Sequence, residues 1–396
     1  MAGKKISFFG GLIIIFAFLS PLEAFLTGQA GSLLKFYAIG CIGLFSIQIL
    51  LRGFIRINTP SQIILFLLLT IMFLSVFWSS QMVRGIDYIQ AIGLQIVFIL
   101  MTTQIDYTAH DKECILIGYV LGCVILGGFV LSNIGQVATK GGRVSASTIE
   151  GVLDPNNVAA YLVAAVAVLL SYKFEKKTWS MIKLLFELIL IIAILMTASR
   201  GAFLSLILFV LYDSLMQKNI RDTSKKILII VSVTCIIVWL TNKIFGDNNP
   251  ISFLIHRFTS DTMGSSRLFL WESALNAIIK KPLWGYGIGS SAYIVSAGNL
   301  GSHNTYLTIW LESGIVAITL LITFYISVWK HKLKGNFNSA VFGALFVSLV
   351  TSFFFDAYNK KIFWLPILLC MISITSRDKS TKNTNNIKRV SRGNTR

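Results

Sequence analysis

The chain has 396 residues, of which 55% are hydrophobic and only 13% are charged, and its mean hydropathy is +0.74. This composition excludes an ordinary soluble domain, in which about a quarter of the residues are charged. The formal net charge of +18 is spread over short cationic loops and a polar C-terminal segment, which is typical of membrane topology and anionic lipid headgroups rather than of nucleic acid binding.

Apolar stretches recur along the chain, and each is long enough to cross a hydrocarbon layer of about 30 Å as a helix. We therefore predict an all-α, polytopic integral membrane protein with about twelve transmembrane helices. The first stretch lacks a small-residue cleavage site and is interpreted as a retained helix rather than a signal peptide. The predicted spans are residues 6–27, 33–51, 62–80, 88–104, 114–133, 156–172, 181–198, 201–216, 227–246, 304–329, 338–356 and 362–376.

Cationic residues set the predicted orientation, because cytoplasmic loops retain Lys and Arg during insertion. With the N-terminus inside, 23 of the 35 Lys and Arg residues lie on cytoplasmic segments, 11 lie outside, and Lys35 lies in a span. Both termini are then cytoplasmic, and Asp106, Asp111 and Glu113 are expected to be solvated on that side. We predict one transmembrane domain at residues 1–376, with outer loops at about 134–155 and 247–303, followed by a basic cytoplasmic tail at 377–396 that is expected to be disordered.

The second outer loop has a helical pattern of its own. Residues 265–279 begin with Ser265 and Ser266 as a serine cap and end before Pro282, as helix start and stop signals require. This helix is short and partly polar, so we expect an amphipathic helix on the membrane surface. The glycines of residues 282–289 resemble a dinucleotide fingerprint only superficially, since no strand precedes them.

Three arginines on the outer side are candidate anion ligands. Arg200 lies in the tight hairpin between the seventh and eighth spans, where its charge is costly unless it snorkels or binds an anion such as phosphate. Arg267 is predicted in the first turn of the surface helix, where the helix dipole disfavours a cation. A functional role is therefore favoured over that of an ordinary surface residue. Arg143 is a third candidate, with weaker support.

His303 and Asp154 mark two predicted helix entrances. A neutral imidazole at His303 is suited to accept a proton from a sugar hydroxyl, although a helix cap or interface role fits the position equally well. Asp154 followed by Pro155 predicts the N-cap and first position of the sixth span. The five cysteines show no metal-type spacing, so we expect neither disulfides nor a metal site.

These segments, in order, resemble the O-antigen polymerase and O-antigen ligase superfamily (Wzy and WaaL types). The resemblance covers roughly residues 140–330 and is carried by residues 154–161, 197–202 and 267–314. It implies an inverting glycosyltransferase that uses neither metal nor cofactor. Such an enzyme moves an undecaprenyl-pyrophosphate-linked oligosaccharide to a hydroxyl, at the outer face of the bacterial cytoplasmic (inner) membrane. The implied catalytic residues are His303, Arg267 and Arg200, and the implied substrate-binding residues are Arg143, Asn304, Trp271, Tyr286 and Asn157.

Three functions remain open from the sequence. The favoured one is a polymerase of lipid-linked repeat units that builds an O-antigen, capsule or exopolysaccharide, with a flippase and a chain-length regulator as partners besides membrane lipids. The second is a ligase that transfers the glycan to lipid A core or to another acceptor, including protein. The third is a flippase or transporter, which is weakened because no internal repeat is visible in the sequence.

Overall fold

A computed structural model describes residues 5–28, 31–134, 143–148, 151–173, 177–216, 243, 262–298, 300–332 and 335–375 of the chain. The described part is mostly helical, as predicted. Its helices are α1 (Phe8–Leu19), α2 (Leu33–Arg52), α3 (Pro60–Leu74), α4 (Met82–Thr102), α5 (Ala109–Ser132), α6 (Pro155–Ser171), α7 (Lys177–Met196), α8 (Arg200–Met216), α9 (Thr262–Lys280), α10 (Ser291–Ser296), α11 (Thr305–Lys330), α12 (Asn336–Thr351) and α13 (Lys361–Thr375).

Short elements extend or join these helices. Two 3-10 helices, Ser20–Leu26 and Ser75–Trp78, continue α1 and α3. Strand β1 (Thr27–Gly28) pairs antiparallel with β2 (Gly31–Ser32), and β3 (Ser147–Thr148) pairs with β4 (Gly151–Val152). Each pair is a small hairpin at a helix connection.

The chain is a multi-pass membrane protein. Seven of the described helices are long and apolar enough to cross a membrane, counting α1 and α3 with their 3-10 extensions. Three further apolar helices, α6, α12 and α13, are shorter. Every predicted span other than 227–246 coincides with a described helix. Within residues 227–246 the structure describes Lys243 alone, and the predicted tail at 377–396 lies outside the described residues, so the total of about twelve spans stays a prediction.

Small residues let the helices approach closely, as is usual between helices in a membrane. In α5, a Cβ at Gly118 would lie 3.1 Å from the Ile14 carbonyl oxygen, and one at Gly122 would overlap the Phe18 carbonyl oxygen. Helices α6 and α3 pack extensively on α12 and α11, respectively. Successive helices therefore run up and down, which gathers alternate connections at the same end of the bundle.

The end that carries residues 20–32, 75–81, 143–154, 197–199, 281–304 and 352–360 is called the site end here. At the opposite end, Arg56 forms an ion pair of 2.7 Å with Asp106. The prediction that Asp111 is solvated is wrong, because its carboxylate is buried. It accepts hydrogen bonds from the Ser7 backbone N–H at 2.9 Å and from the Thr108 N–H at 2.9 Å, so Asp111 joins the starts of α1 and α5.

The glycine-rich segment 282–289 is a packed connection. The Tyr286 and Gly287 N–H groups donate to the carbonyls of Leu311 and Glu312, both at 2.8 Å. Helix α11 is kinked at Gly314, whose φ is +77°, and a Cβ there would overlap the Leu283 carbonyl oxygen. The backbone geometry at Gly314 therefore admits glycine and excludes any residue with a side chain.

We expect Gly314→Ala to destabilise the protein by about 3 kcal/mol or more, since it combines a strained φ with a backbone overlap. The measurement is thermal unfolding of the purified protein in detergent. Gly43→Ala in α2 is the matched control, because a Cβ there meets nothing within 4 Å. The control is expected to unfold at the wild-type temperature or slightly above. An unchanged midpoint for Gly314→Ala would contradict the close approach of segment 282–289 to α11.

Candidate functional site

The connection between α12 and α13, residues 352–360, is called the site loop here. Thr305, the first residue of α11, forms three hydrogen bonds with it. Thr305 donates through its backbone N–H to the Ser352 carbonyl at 2.9 Å and through its hydroxyl to the Phe355 carbonyl at 2.8 Å, and it accepts from the Ala357 N–H at 3.0 Å. The site loop and the residues that enter α11 therefore form one rigid unit.

His303 lies at this junction in a strained conformation. Its φ of +51° is in the left-handed region, which costs a non-glycine residue about 1–3 kcal/mol unless its surroundings impose it. The imposing contact is Asp356 in the site loop, whose Oδ2 accepts the His303 backbone N–H at 3.1 Å. Asp356 is held in turn by the Thr308 hydroxyl, which donates to Oδ1 at 2.5 Å.

Four charged groups act on the His303 imidazole. The largest effect is burial, which lowers the pKa of His303 below its ordinary 6.5. The negative charges of Asp356 and Asp154 raise this pKa, and the positive charges of Arg267 and Lys360 lower it. Both the desolvation and the two cations disfavour the imidazolium form. His303 is therefore neutral at pH 7, which is the state of a general base, and Arg267 acts electrostatically on it although 36 residues separate the two in sequence.

The helix that carries Arg267 differs from the prediction in its start. Helix α9 begins at Thr262, so Ser265 and Ser266 lie inside the helix and the predicted serine cap is wrong. Arg267 is in the second turn, and the dipole argument for its function does not apply there, because the dipole acts within the first turn. Trp271 follows one turn later on the same face, and its buried indole N–H has no hydrogen-bond partner among the described residues.

The predicted tight hairpin between α7 and α8 is confirmed, because only residues 197–199 connect the two helices. Arg143 braces the hairpin by donating from Nε to the Thr197 carbonyl and from Nη2 to Asn156 Oδ1, both at 2.9 Å. The Ser199 hydroxyl donates to the same Asn156 oxygen at 3.0 Å. These contacts fix the backbone next to Arg200, and Arg143 supports the hairpin rather than standing apart from it.

Arg200 is the first residue of α8, and the helix start packs against the site loop. A Cβ at Gly201 would lie 2.7 Å from Cβ of Phe354, two residues before Asp356. Arg200 is half-buried at this point. The structure therefore places Arg200 beside the loop that also supports His303.

The start of α6 confirms one prediction and adds a cation to the site. Asp154 is the N-cap of α6, with its side chain accepting the Asn156 N–H at 2.7 Å, and Pro155 is the first helical residue. Asn157 Oδ1 accepts a hydrogen bond from Lys360 Nζ at 3.2 Å. Burial lowers the pKa of Lys360, while Asp154 and Asp356 oppose that effect. Neither Lys360 nor Asp356 was predicted from the sequence to be a site residue.

Two predicted substrate-binding residues hold the backbone in place. Asn304 is the N-cap of α11, and its Oδ1 accepts the N–H groups of Tyr306 and Leu307 at 3.0 and 3.2 Å. The Tyr286 hydroxyl donates to the Ala277 carbonyl of α9 at 3.2 Å. These atoms shape the site and are already engaged, so both side chains are better explained as positioning residues than as direct ligands.

The site end thus gathers guanidinium and ammonium groups around a neutral imidazole. Arg200, Arg267 and Lys360 supply fixed positive charge for an anion. His303, held by Asp356, supplies a proton acceptor. This combination is suited to a substitution reaction that needs a base for the nucleophile and cations for an anionic leaving group.

Comparison with known proteins assigns the same region to a family. The family model described as O-Antigen ligase matches residues 185–322, a segment that contains Arg200, Arg267 and His303. The chain is 29% identical over 247 residues to the ComP-specific O-oligosaccharyltransferase of Acinetobacter baylyi, a match that covers 58% of this chain and 44% of that protein.

Two further relatives extend the comparison. A Rickettsia conorii protein named as a polysaccharide ligase is 32% identical over 118 residues, which cover 25% of this chain and 28% of that protein. An uncharacterised protein of Haemophilus influenzae is 26% identical over 262 residues, which cover 56% of this chain and 64% of that protein. The matches span less than two thirds of each relative's length. The resemblance inferred from the motifs is confirmed by these findings: over residues 185–322 the chain is similar to the O-antigen ligase family.

Proposed function

We propose that this protein is a glycan ligase, which transfers an oligosaccharide from a polyprenyl pyrophosphate to a hydroxyl group of an acceptor. The acceptor is a molecule other than a second lipid-linked repeat unit. The observation that carries the proposal is the half-buried His303, whose backbone N–H is held by Asp356 and on whose imidazole the charge of Arg267 acts. His303 and Arg267 both lie inside the segment that matches the O-antigen ligase family.

The ligase replaces the polymerase that the sequence analysis favoured. The matching family is described as O-Antigen ligase, and the named relatives are an O-oligosaccharyltransferase and a polysaccharide ligase. These names support transfer to a separate acceptor better than they support growth of a lipid-linked polymer. The name of the Acinetobacter relative states specificity for ComP, which makes acceptors other than a lipid core part of the proposal.

The proposed reaction is a single displacement at the anomeric carbon. The acceptor oxygen forms the new bond to that carbon as its hydroxyl proton passes to the His303 imidazole. The bond between the anomeric carbon and the pyrophosphate oxygen breaks on the opposite face, and the leaving polyprenyl pyrophosphate takes the electron pair. Direct displacement inverts the anomeric configuration.

Fixed cations stabilise the charge that develops on the leaving oxygen. Arg200 and Arg267 are assigned to the pyrophosphate because a guanidinium binds phosphate oxygens bidentately and stays charged at any relevant pH. The Trp271 indole N–H, which is buried and unpaired within the described residues, is an additional donor for a phosphate oxygen. In this scheme the arginines provide the positive charge that a divalent metal provides in other glycosyltransferases.

The pH dependence follows from the pKa of His303, which is lowered from 6.5. The proton-accepting form is present at neutral pH and is lost as the pH falls through this lowered value. We expect the transfer rate at saturating substrates to be constant around pH 7 and to fall only below pH 6.5. The measurement is the rate of glycan transfer by the reconstituted protein between pH 5 and pH 8. A decline that is already complete at pH 7 would contradict a neutral His303.

Orientation in the cell is part of the proposal. We place the site end at the outer face of the bacterial cytoplasmic membrane and both termini in the cytoplasm, as the distribution of Lys and Arg predicts. Residues 1–376 are treated as one transmembrane domain, with residues 377–396 as a cytoplasmic tail. A flippase that delivers the lipid-linked glycan is the expected upstream partner.

A deletion strain distinguishes ligase from polymerase. Loss of a ligase leaves glycan of normal length attached to polyprenyl pyrophosphate and absent from its acceptor. Loss of a polymerase leaves acceptors that carry a single repeat unit. Analysis of surface glycan and lipid-linked glycan by gel banding gives both quantities, and acceptors that carry single repeats in the deletion strain would contradict the ligase.

A further inference from the structure

A cavity of about 500 Å³ opens at the site end, within the range of about 300–1,000 Å³ found for small-molecule sites. Its walls come from the 3-10 extension of α1, from α2, α4, α5 and α6, and from the junction of the site loop with α13. Asp154 and Lys360 line it, and the charges of both residues also act on His303. The cavity and the proposed base therefore share two charged neighbours, Asp154 and Lys360.

Several polar side chains in the cavity wall have no hydrogen-bond or ion-pair partner among the described residues, and three of them lie on α2 and α4. Lys35 of α2 and both Asp87 and Gln90 of α4 line the cavity and are exposed. None of them forms a hydrogen bond or ion pair with another described residue. In a membrane-spanning helix such groups are costly facing lipid and normally line a water-filled cavity or a ligand path. These three side chains are thus available to a ligand.

Other polar residues in the wall are engaged in holding the cavity open. Glu23 forms an ion pair with Lys361, and it also accepts a hydrogen bond of 2.7 Å from the Ser32 hydroxyl. Asn157 accepts from Lys360. These contacts join α1, α2, α6 and α13 around the cavity, and Lys35, Asp87 and Gln90 are among the side chains left to bind a ligand.

The charges in the wall identify the class of ligand. A pyrophosphate site requires an excess of cations, whereas the described residues of this wall are balanced between acids and lysines and include no arginine. A balanced set of carboxylate, amide and ammonium groups matches a neutral polyhydroxylated ligand, because each hydroxyl both donates and accepts hydrogen bonds. The charged residues of the wall are Glu23, Asp87, Asp154, Lys35, Lys360 and Lys361.

We infer that this cavity is a glycan-binding subsite, in which Asp87, Gln90 and Lys35 bind sugar hydroxyl groups next to the reacting centre. The inference rests on the proposed transfer reaction. It assigns the pyrophosphate and the oligosaccharide of the substrates to two different binding sites. The pyrophosphate is bound near the arginines, and an oligosaccharide of the donor or of the acceptor is bound in the cavity. Asp87, Gln90 and Lys35 determine which glycan is accepted.

The test begins with binding, which does not depend on catalysis. Oligosaccharide released from the host's own lipid-linked glycan is titrated into the purified full-length protein in detergent. We expect Asp87→Asn and Gln90→Leu each to weaken binding about tenfold, the usual effect of losing one hydrogen bond to a charged or buried group. Two matched controls should bind as wild type does. They are Glu272→Gln, at an exposed position outside the cavity, and Gln48→Leu, in α2 and outside the cavity.

Steady-state kinetics then assigns the source of the glycan. A tenfold rise in KM for the lipid-linked donor, at unchanged kcat, places the donor glycan in the cavity, and the same rise for the acceptor places the acceptor glycan there. Wild-type protein that does not bind the oligosaccharide, or variants that bind it as wild type does, would overturn the subsite. Failure of wild-type protein to transfer glycan at all would instead refute the proposed function.

Discussion

His303→Ala is expected to lower the rate of glycan transfer by about 10²- to 10⁴-fold, which is the usual contribution of a general base. The loss should appear in kcat, because the imidazole accepts its proton only in the transition state. The measurement is transfer from lipid-linked glycan in reconstituted vesicles that contain equal amounts of folded wild-type and variant protein.

His331→Ala is the matched control for this substitution. His331 lies at the opposite end of the bundle from the site and is exposed, so its removal should leave transfer within about twofold of wild type. A His303→Ala protein that inserts, folds and transfers glycan at the wild-type rate would remove the base from the mechanism.

Asp356→Asn separates positioning of the base from a purely structural role. Asp356 raises the pKa of His303, so its replacement by a neutral amide should lower that pKa further and move the acid limb of the pH profile to lower pH. The rate at pH 7 should fall by about tenfold if the amide orients the His303 backbone less well. A structural defect alone would reduce the amount of active protein and leave the shape of the pH profile unchanged.

Arg267→Ala is expected to lower kcat by about 10²- to 10³-fold, comparable to removal of one electrostatic ligand of a developing anion. Arg200→Ala should have an effect of the same order. Lysine at either position should restore part of the rate, because an ammonium keeps the charge but loses the bidentate geometry. The measurement is release of polyprenyl pyrophosphate together with transfer of glycan in the same reaction.

Arg56→Ala is the control for the loss of a cation. Arg56 pairs with Asp106 at the end remote from the site, and an exposed pair of this kind contributes only about 0–1 kcal/mol. Its transfer rate should match that of wild type. Full activity in Arg267→Ala and Arg200→Ala would exclude both arginines as ligands of the leaving group.

The parts of the fold that depend on one local rule were predictable. Hydrophobic length alone located the described helices other than α9 and α10. Asp154 with Pro155 marked the start of α6, because an N-cap and a first-position proline are local features. The start of α9 was misplaced by three residues, at Ser265 instead of Thr262, since serines are common in helix starts and in helix interiors near membranes.

The site itself was only partly predictable, because several of its contacts join residues far apart in sequence. His303, Arg267 and Arg200 stand out as rare polar residues among apolar spans. Asp356 and Lys360 did not, since their roles depend on the packing of the site loop against α11 and α6. The hydrogen bonds that engage Asn304 and Tyr286 with backbone groups were equally invisible in the sequence. A carboxylate flanked by aromatic residues in a short connection, as in residues 353–358, is a local signal that could have directed attention to this loop.

The most direct measurement of the central claim is reconstitution of the purified protein with its lipid-linked glycan and a lipid-free acceptor. We expect one polyprenyl pyrophosphate to be released for each glycan that appears on the acceptor, and both products to be lost together in Arg267→Ala. Glycan that is instead joined to a second lipid-linked glycan, or carried across the bilayer with its pyrophosphate bond intact, would contradict the account.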